Sequence, residues 1–315
     1  MRAGALALCA LMGGCAGTVR IADLELAHPA AELADTPFFP QDINQCGPAA
    51  LATALVAGGV AVTPDQLAPG LYLPGKKGTL QAEVVATARR HGRVPYPLRP
   101  QPAEVLATVA GGTPVLVLQN LGLSFWPVWH YAVVIGFDAA ANTVILRSGT
   151  ERRRVMSMRA FERSWTLAQR WALAVVAPDA PPLRAELREW LRAASAFEEL
   201  KQPQLAVTAY LAATRRWPAD VLPWQVLANL RHAQGDLAAA EDALRTAHQL
   251  KPEAATLNNL ALVLLERGCP QPARAAIARA SALAASEPEQ AAIGRTRQQV
   301  DAYRGRRAEG CRGIP

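Results

Sequence analysis

Gln41-Asp42-Ile43-Asn44-Gln45-Cys46-Gly47-Pro48-Ala49-Ala50-Leu51, answered far downstream by His130-Tyr131-Ala132-Val133-Val134-Ile135-Gly136-Phe137-Asp138, decides how this chain folds. Pro48 and the apolar run after it mark a helix that begins at or just after Cys46, because proline gives up only an N–H that has no partner in the first turn. The thiol therefore sits at the positive end of a helix, where the macrodipole and a neighbouring imidazolium favour thiolate over the free-cysteine pKa of about 8.5. His130 heads an apolar run of β character, and Gly47 leaves the approach to the sulfur open. One thiol and one imidazole so placed are what a cysteine nucleophile and its base require. Acyl transfer also needs donors aimed at the developing oxyanion. The Cys46 N–H and the side chain of Gln41 are the candidates, with Gln45 second. A free cysteine at an apolar helix start would, taken alone, read as packing; in company with Gln41, Gly47-Pro48 and the His130 strand it reads as chemistry.

Outward from these two motifs, helices come first and strands after. Thr63-Pro64-Asp65-Gln66-Leu67 carries an N-cap and a first-turn proline, Thr79 to His91 is amphipathic and ends at Gly92, and Pro102 to Val109 ends at Gly111-Gly112. Strands are expected at Pro114 to Gln119, His130 to Phe137, Thr143 to Arg147 and Trp171 to Ala177. This is an α+β arrangement with an antiparallel sheet, and the cleft between its helical and sheet halves is where a peptide would lie. Gly70 to Gly78 reads as a mobile loop over that cleft, and Trp126, Pro127 and Trp129 as a wall beside it or as edge packing of the sheet. If Asp138 to Asn142 turns a hairpin, Ser148 returns close to His130; Asp138 and Asn142 themselves read as turn residues.

The two motifs resemble those of the bacteriocin-processing, double-glycine leader peptidases, a papain-like group of cysteine peptidases, over roughly Phe38 to Pro178. The resemblance implies that Cys46 is the nucleophile, His130 the general base and acid, and Gln41 the oxyanion-hole glutamine. The chain departs from that family at the third member, usually an aspartate in an Asp-Pro pair on the strand after the histidine strand. Here the strand reads Ile145-Leu146-Arg147-Ser148-Gly149-Thr150. Ser148 is then the orienter of His130, offering direction without charge, as a neutral third member does in Cys-His-Asn peptidases. The implied partner is a peptide or protein substrate, and no cofactor is expected.

Met1-Arg2, the apolar stretch Ala3 to Met12 and Gly13-Gly14 before Cys15 have the form of an export signal, too short to remain as a membrane span. Small residues directly before a cysteine resemble a bacterial lipoprotein signal, with ordinary signal cleavage or an unprocessed buried helix as the alternatives. The resemblance implies residues 1–14 removed, Cys15 acylated, a tether over 15–37 and, from Ala16 not being aspartate, a lipid anchor at the periplasmic face of the outer membrane. Cys9 then leaves with the signal, and Cys269 and Cys311 remain as one possible disulfide in an oxidising compartment. The five histidines stand at no metal-ligand spacing with each other or with a Cys-x-x-Cys, so no metal is expected.

The 315 residues suit two domains, and 51% apolar content is enough for real cores. A net charge of +7 invites a nucleic-acid reading, but the arginines are scattered apart from Arg152-Arg153-Arg154 in an expected hairpin, and aromatics make up only 6%. A single-strand binder interleaves charge with aromatic platforms, so no nucleic-acid partner is expected.

Pro178-Asp179-Ala180-Pro181-Pro182 ends the first domain (38–178) and opens a linker over 179–186. Beyond it Ala206, Ala240 and Ala273 recur, as do Tyr210, Leu244 and Ile277, and Ala213, Ala247 and Ala280, with Gly235 and Gly268 at turns. A period of 33 or 34 residues of this kind is that of tetratricopeptide helix–turn–helix repeats. Three units (about 187–220, 221–253 and 254–287) and a capping helix with tail (288–315) are expected, forming an all-α solenoid whose groove would bind a protein partner. Three functions stand at this point: a lipid-anchored peptidase, a catalytically silent envelope adaptor, and a thiol acyltransferase or deamidase using the same pair.

Overall fold

The computed structural model describes residues 19–40, 45–73, 75, 78–305, 308 and 310–314. The expected signal, Cys15 and Gln41 lie outside the described residues. The first half contains β1 (Ala30–Glu32), α1 (Cys46–Ala57), α2 (Pro64–Leu71), β2 (Tyr72–Leu73), β3 (Gly78–Thr79), α3 (Gln81–Arg90), β4 (Val94–Pro97), α4 (Pro102–Ala110) and β5 (Val115–Asn120). There follow β6 (Trp129–Asp138), β7 (Thr143–Ser148), β8 (Glu151–Ser157), α5 (Met158–Thr166) and β9 (Ala172–Val176). The sheet is antiparallel, in the order β4-β9-β5-β6-β7-β8, with β1 paired to the far end of β6.

Side-chain alternation divides the sheet into two apolar faces. Tyr131, Val133, Ile135, Leu116 and Leu173 pack with Leu51 and Leu55 of α1 and Val84 of α3. Ala132, Val134, Val117 and Leu146 pack on the other face with Val105 of α4 and Phe161 and Trp165 of α5. α1 is buried from Gly47 through Leu55, as an all-apolar helix must be. At the base of α2, Thr63 and Gln66 close a reciprocal capping box.

The expected α+β domain with an antiparallel sheet is present, and its differences in detail have local causes. The helix expected from Thr79 starts at Gln81, because Gly78 and Thr79 pair with Leu73 and Tyr72. β4 has prolines at 95 and 97 and is legal only because it lies at the sheet edge. Arg152-Arg153-Arg154 lie within β8, the opposite edge strand, where charge blunts edge-to-edge pairing. The segment expected as a tether is packed from Val19 onward: Ile21 is buried, β1 joins the sheet, and Arg147 donates to the carbonyls of Ala34 and Thr36. Gly136 permits that docking, since a Cβ there would lie 2.6 Å from the Ala31 carbonyl oxygen.

A run of seven packed helices follows: α6 (Leu187–Glu199), α7 (Pro203–Arg216), α8 (Leu222–Ala233), α9 (Leu237–Leu250), α10 (Ala254–Glu266), α11 (Pro270–Leu283) and α12 (Glu287–Ala302). The periodic positions 206, 240 and 273, and 213, 247 and 280, are all buried alanines. The turns within the first three pairs repeat as well: Lys201, Gly235 and Gly268 adopt positive φ, and the next residue's N–H closes each turn onto Phe197, Arg231 and Leu264. Only glycine takes that conformation without cost, so Lys201 is the strained member of the series. Cys269 and Cys311 form a disulfide across a Cα separation of 5.6 Å, tying the tail to the α10–α11 turn. The two halves share a core, with α6 against β4, Trp190 against Tyr96, and the Tyr96 hydroxyl accepting from the Glu186 N–H at 2.9 Å.

Candidate active site

Cys46 is the first residue of α1, with Gln45 at the N-cap position and no side chain capping the helix. Its backbone N–H is among the donors that a helix leaves unpaired at its start. It is half-buried at the margin of the α1 face of the core and is the free cysteine of the described residues. Gly47 lies hard against Thr79 of β3, so closely that a Cβ there would run into the threonine side chain. Glycine is required here to bring the start of α1 onto the β2–β3 hairpin.

His130 is the second residue of β6, opposite Gln119 of β5. Its Nε2 is hydrogen-bonded to the buried Ser148 Oγ at 2.8 Å. The turn after β6 makes this possible: Asp138 Oδ1 accepts from the N–H groups of Ala140 and Ala141, and Asn142 takes a positive φ, so β7 returns alongside. Asp138 and Asn142 are thus turn residues. Burial pushes the His130 pKa down to about 4, and the nearby charge of Arg154 pushes in the same direction. The ring is therefore neutral near pH 7, and with Nε2 engaged by Ser148 the remaining nitrogen is Nδ1.

Tyr131, unremarked by motif reasoning, joins this site to the helix. It points to the α1 face, where its hydroxyl donates to the Thr79 carbonyl at 3.3 Å and its ring meets Trp171 edge-on. Its pKa is raised, first by burial and then by the charge of Cys46. The signal that could have found it is strand parity, which sends residue 131 to the side opposite residue 130. Cys46 and His130 thus stand at the same end of β6, one on each side of the strand. Among the described residues no hydrogen bond joins Cys46 to His130. Gln45 is exposed, and no group of three or more histidine, cysteine or acidic side chains among the described residues could hold a metal ion.

Residues 33–173 match the Peptidase_C39 like family. A crystal structure of a candidate C39-like peptidase from Bacillus anthracis aligns with 18% sequence identity and a TM-score of 0.39, covering 47% of this chain and 98% of that one. No curated protein matches the chain.

Proposed function

We propose, taking the Peptidase_C39 like domain at residues 33–173 as the premise, that this protein is a cysteine peptidase in which Cys46 is the nucleophile and His130 its base. The observation that carries the reading is a free thiol at the head of α1, placed beside β6 where a neutral, serine-oriented imidazole stands. Nδ1 of His130 takes the Cys46 proton as sulfur attacks the peptide carbonyl carbon, forming a C–S bond and a tetrahedral oxyanion. The Cys46 N–H and Gln41, the latter assigned by resemblance, hold that oxyanion. Collapse breaks the C–N bond, and the leaving amine takes the proton from His130. Water, deprotonated by His130, then attacks the thioester, releasing the carboxylic acid and regenerating the thiol. The reading requires the His130 ring to turn around the start of β6 when substrate binds, because its side chain and the Cys46 thiol stand on opposite sides of that strand.

A catalytically silent adaptor is the second reading, favoured by the unmade thiol–imidazole hydrogen bond and by the hydroxyl, rather than carboxylate, on His130. In either case the helices from α6 onward act as tetratricopeptide-type repeats binding a protein partner, and the chain is lipid-anchored through Cys15 at the periplasmic face of the envelope. The Cys269–Cys311 disulfide supports an oxidising compartment. The test is a thiol-directed probe on the folded chain, with envelope peptides compared by mass between wild type and Cys46→Ala. Labelling and turnover are expected to disappear in Cys46→Ala, the latter by about 10⁴-fold or more. A folded sample with no Cys46-dependent labelling would leave only the adaptor. Products lacking the mass of water would mean acyl transfer to another acceptor.

A further inference from the structure

Between Val115 and Trp129 there is no charged residue, and the loop that joins β5 to β6 carries a mostly apolar surface, broken by the exposed Ser124. Phe125 is 78% exposed, Trp126 76% and Trp129 54%, with Leu121, Leu123 and Val128 exposed beside them. The loop is built rather than slack. Buried Asn120 accepts through Oδ1 from the N–H groups of Gly122 and Val128, both at 2.9 Å, and donates through Nδ2 to the Leu123 carbonyl at 3.2 Å. Leu121 donates to the Val128 carbonyl at 2.8 Å, and Leu123 and Trp126 exchange backbone hydrogen bonds. A buried amide thus fixes the shape of a loop whose outer side chains are left to solvent. A contiguous exposed apolar patch of this kind marks an interaction site.

We infer that this hairpin is the specificity surface for the residues that follow the scissile bond, taking a polypeptide with an aromatic or large aliphatic side chain there. The inference rests on the peptidase reading above. In that mechanism the leaving amine must lie at the His130 imidazole, and His130 directly follows Trp129. The chain beyond the scissile bond therefore starts beside the hairpin and is the segment positioned to cover it. A bilayer fits less well. Val19, four residues after Cys15, accepts from Asn142 Nδ2 at 3.3 Å, and Ile21 donates to Asn142 Oδ1 at 2.9 Å. That joint lies beyond the opposite end of the ten-residue β6, about 30 Å from the hairpin. A lipid on Cys15 holds that end to the membrane and leaves the hairpin turned away.

The test uses the full chain and its Phe125→Ser/Trp126→Ser variant, both checked for fold by circular dichroism. Paired peptides differ only in phenylalanine or alanine after a bond that wild type cleaves in a proteome-derived peptide library. Wild type is expected to prefer phenylalanine by about tenfold or more in kcat/KM, mostly through KM, and the variant to bring the ratio close to one. An unchanged ratio would overturn the assignment. Immobilised arrays of the same peptides, probed with Cys46→Ala and with Cys46→Ala/Phe125→Ser/Trp126→Ser, read binding without chemistry. Phenylalanine-dependent binding lost in the triple variant supports the surface even where no peptide is cut, while absent Cys46 labelling would count against the peptidase reading alone. Array binding with no phenylalanine dependence overturns the surface. Hairpin-dependent sedimentation of the Cys15→Ala chain with phosphatidylethanolamine–phosphatidylglycerol vesicles would reassign it to the bilayer.

Discussion

In the helical half, Glu241 is 1% exposed and is met by three guanidinium groups: Arg245 at 2.7 Å, Arg312 at 3.2 Å and Arg267. At the head of β6, His130 is sunk beside a neutral hydroxyl, with the cation Arg154 as its charged neighbour. The first cluster surrounds a buried charge with opposite charge and adds backbone acceptors, since Arg245 also donates to the carbonyls of Arg312 and Gly313 at 2.7 and 2.6 Å. It is a joint, fastening the tail to α9 next to the Cys269–Cys311 disulfide. The second denies its group a counter-charge and so keeps it neutral, which is the state a general base needs. Compensation makes a buried polar group structural; its absence makes one poised.

The sharpest way to break this contrast is Glu241→Gln, which takes the buried carboxylate from Arg245 and Arg267 and leaves Asp242 on Arg312 as the remaining anion of the cluster. Loss of one partner from a buried ionic cluster costs about 3–5 kcal/mol, so a large fall in Tm and earlier proteolysis of the tail are expected. An unchanged melting curve would remove the joint.

At His130 the corresponding quantity is a pH slope. Its folded pKa of about 4 lies below the ordinary 6.5, so between those values the unfolded chain binds the proton that the folded chain refuses. Stability should therefore be fully present above about pH 6.5 and fall on acidification toward pH 4, by up to about 3 kcal/mol from this group. Urea unfolding at a series of pH values measures the slope, and His130→Gln should flatten it. An equally steep slope in the variant would assign the acid sensitivity to other groups.

Ser148 supplies the smallest and most discriminating change. Ser148→Ala should lower kcat by about ten- to a hundredfold, the amount expected from loss of a group that only orients the base. Ser148→Asp should instead supply the missing counter-charge and raise the His130 pKa, moving the acid limb of the rate profile upward. A limb that stays in place would mean that the residue at 148 does not act through the imidazole.

Much of this arrangement was legible in local pattern. Pro48 announced α1, the Asp138–Asn142 turn announced Ser148 beside His130, and the alanine period announced the paired helices, down to the positive-φ turns at Gly235 and Gly268. Lys201 at the equivalent turn was hidden because lysine carries no turn signal; the packing of its neighbours imposes the strain. β1, β4 and β8 were hidden for related reasons. A three-residue strand has no measurable alternation, prolines in β4 argue against a strand unless it is known to be an edge, and three successive arginines in β8 obscure the period.

By itself the sequence determined the succession of α1 to α4 and then β5, β6, β7 and β9, the thiol at a helix start, the imidazole at a strand head and the repeat period, because each is written within a few turns of chain. Only the tertiary structure decided that Tyr131 rather than His130 faces α1, that His130 is neutral, and that the aromatic hairpin stands exposed on a buried amide. Those outcomes depend on which face of a sheet is covered and which groups lose water. These are set by contacts between segments distant in the chain, and no local period records them.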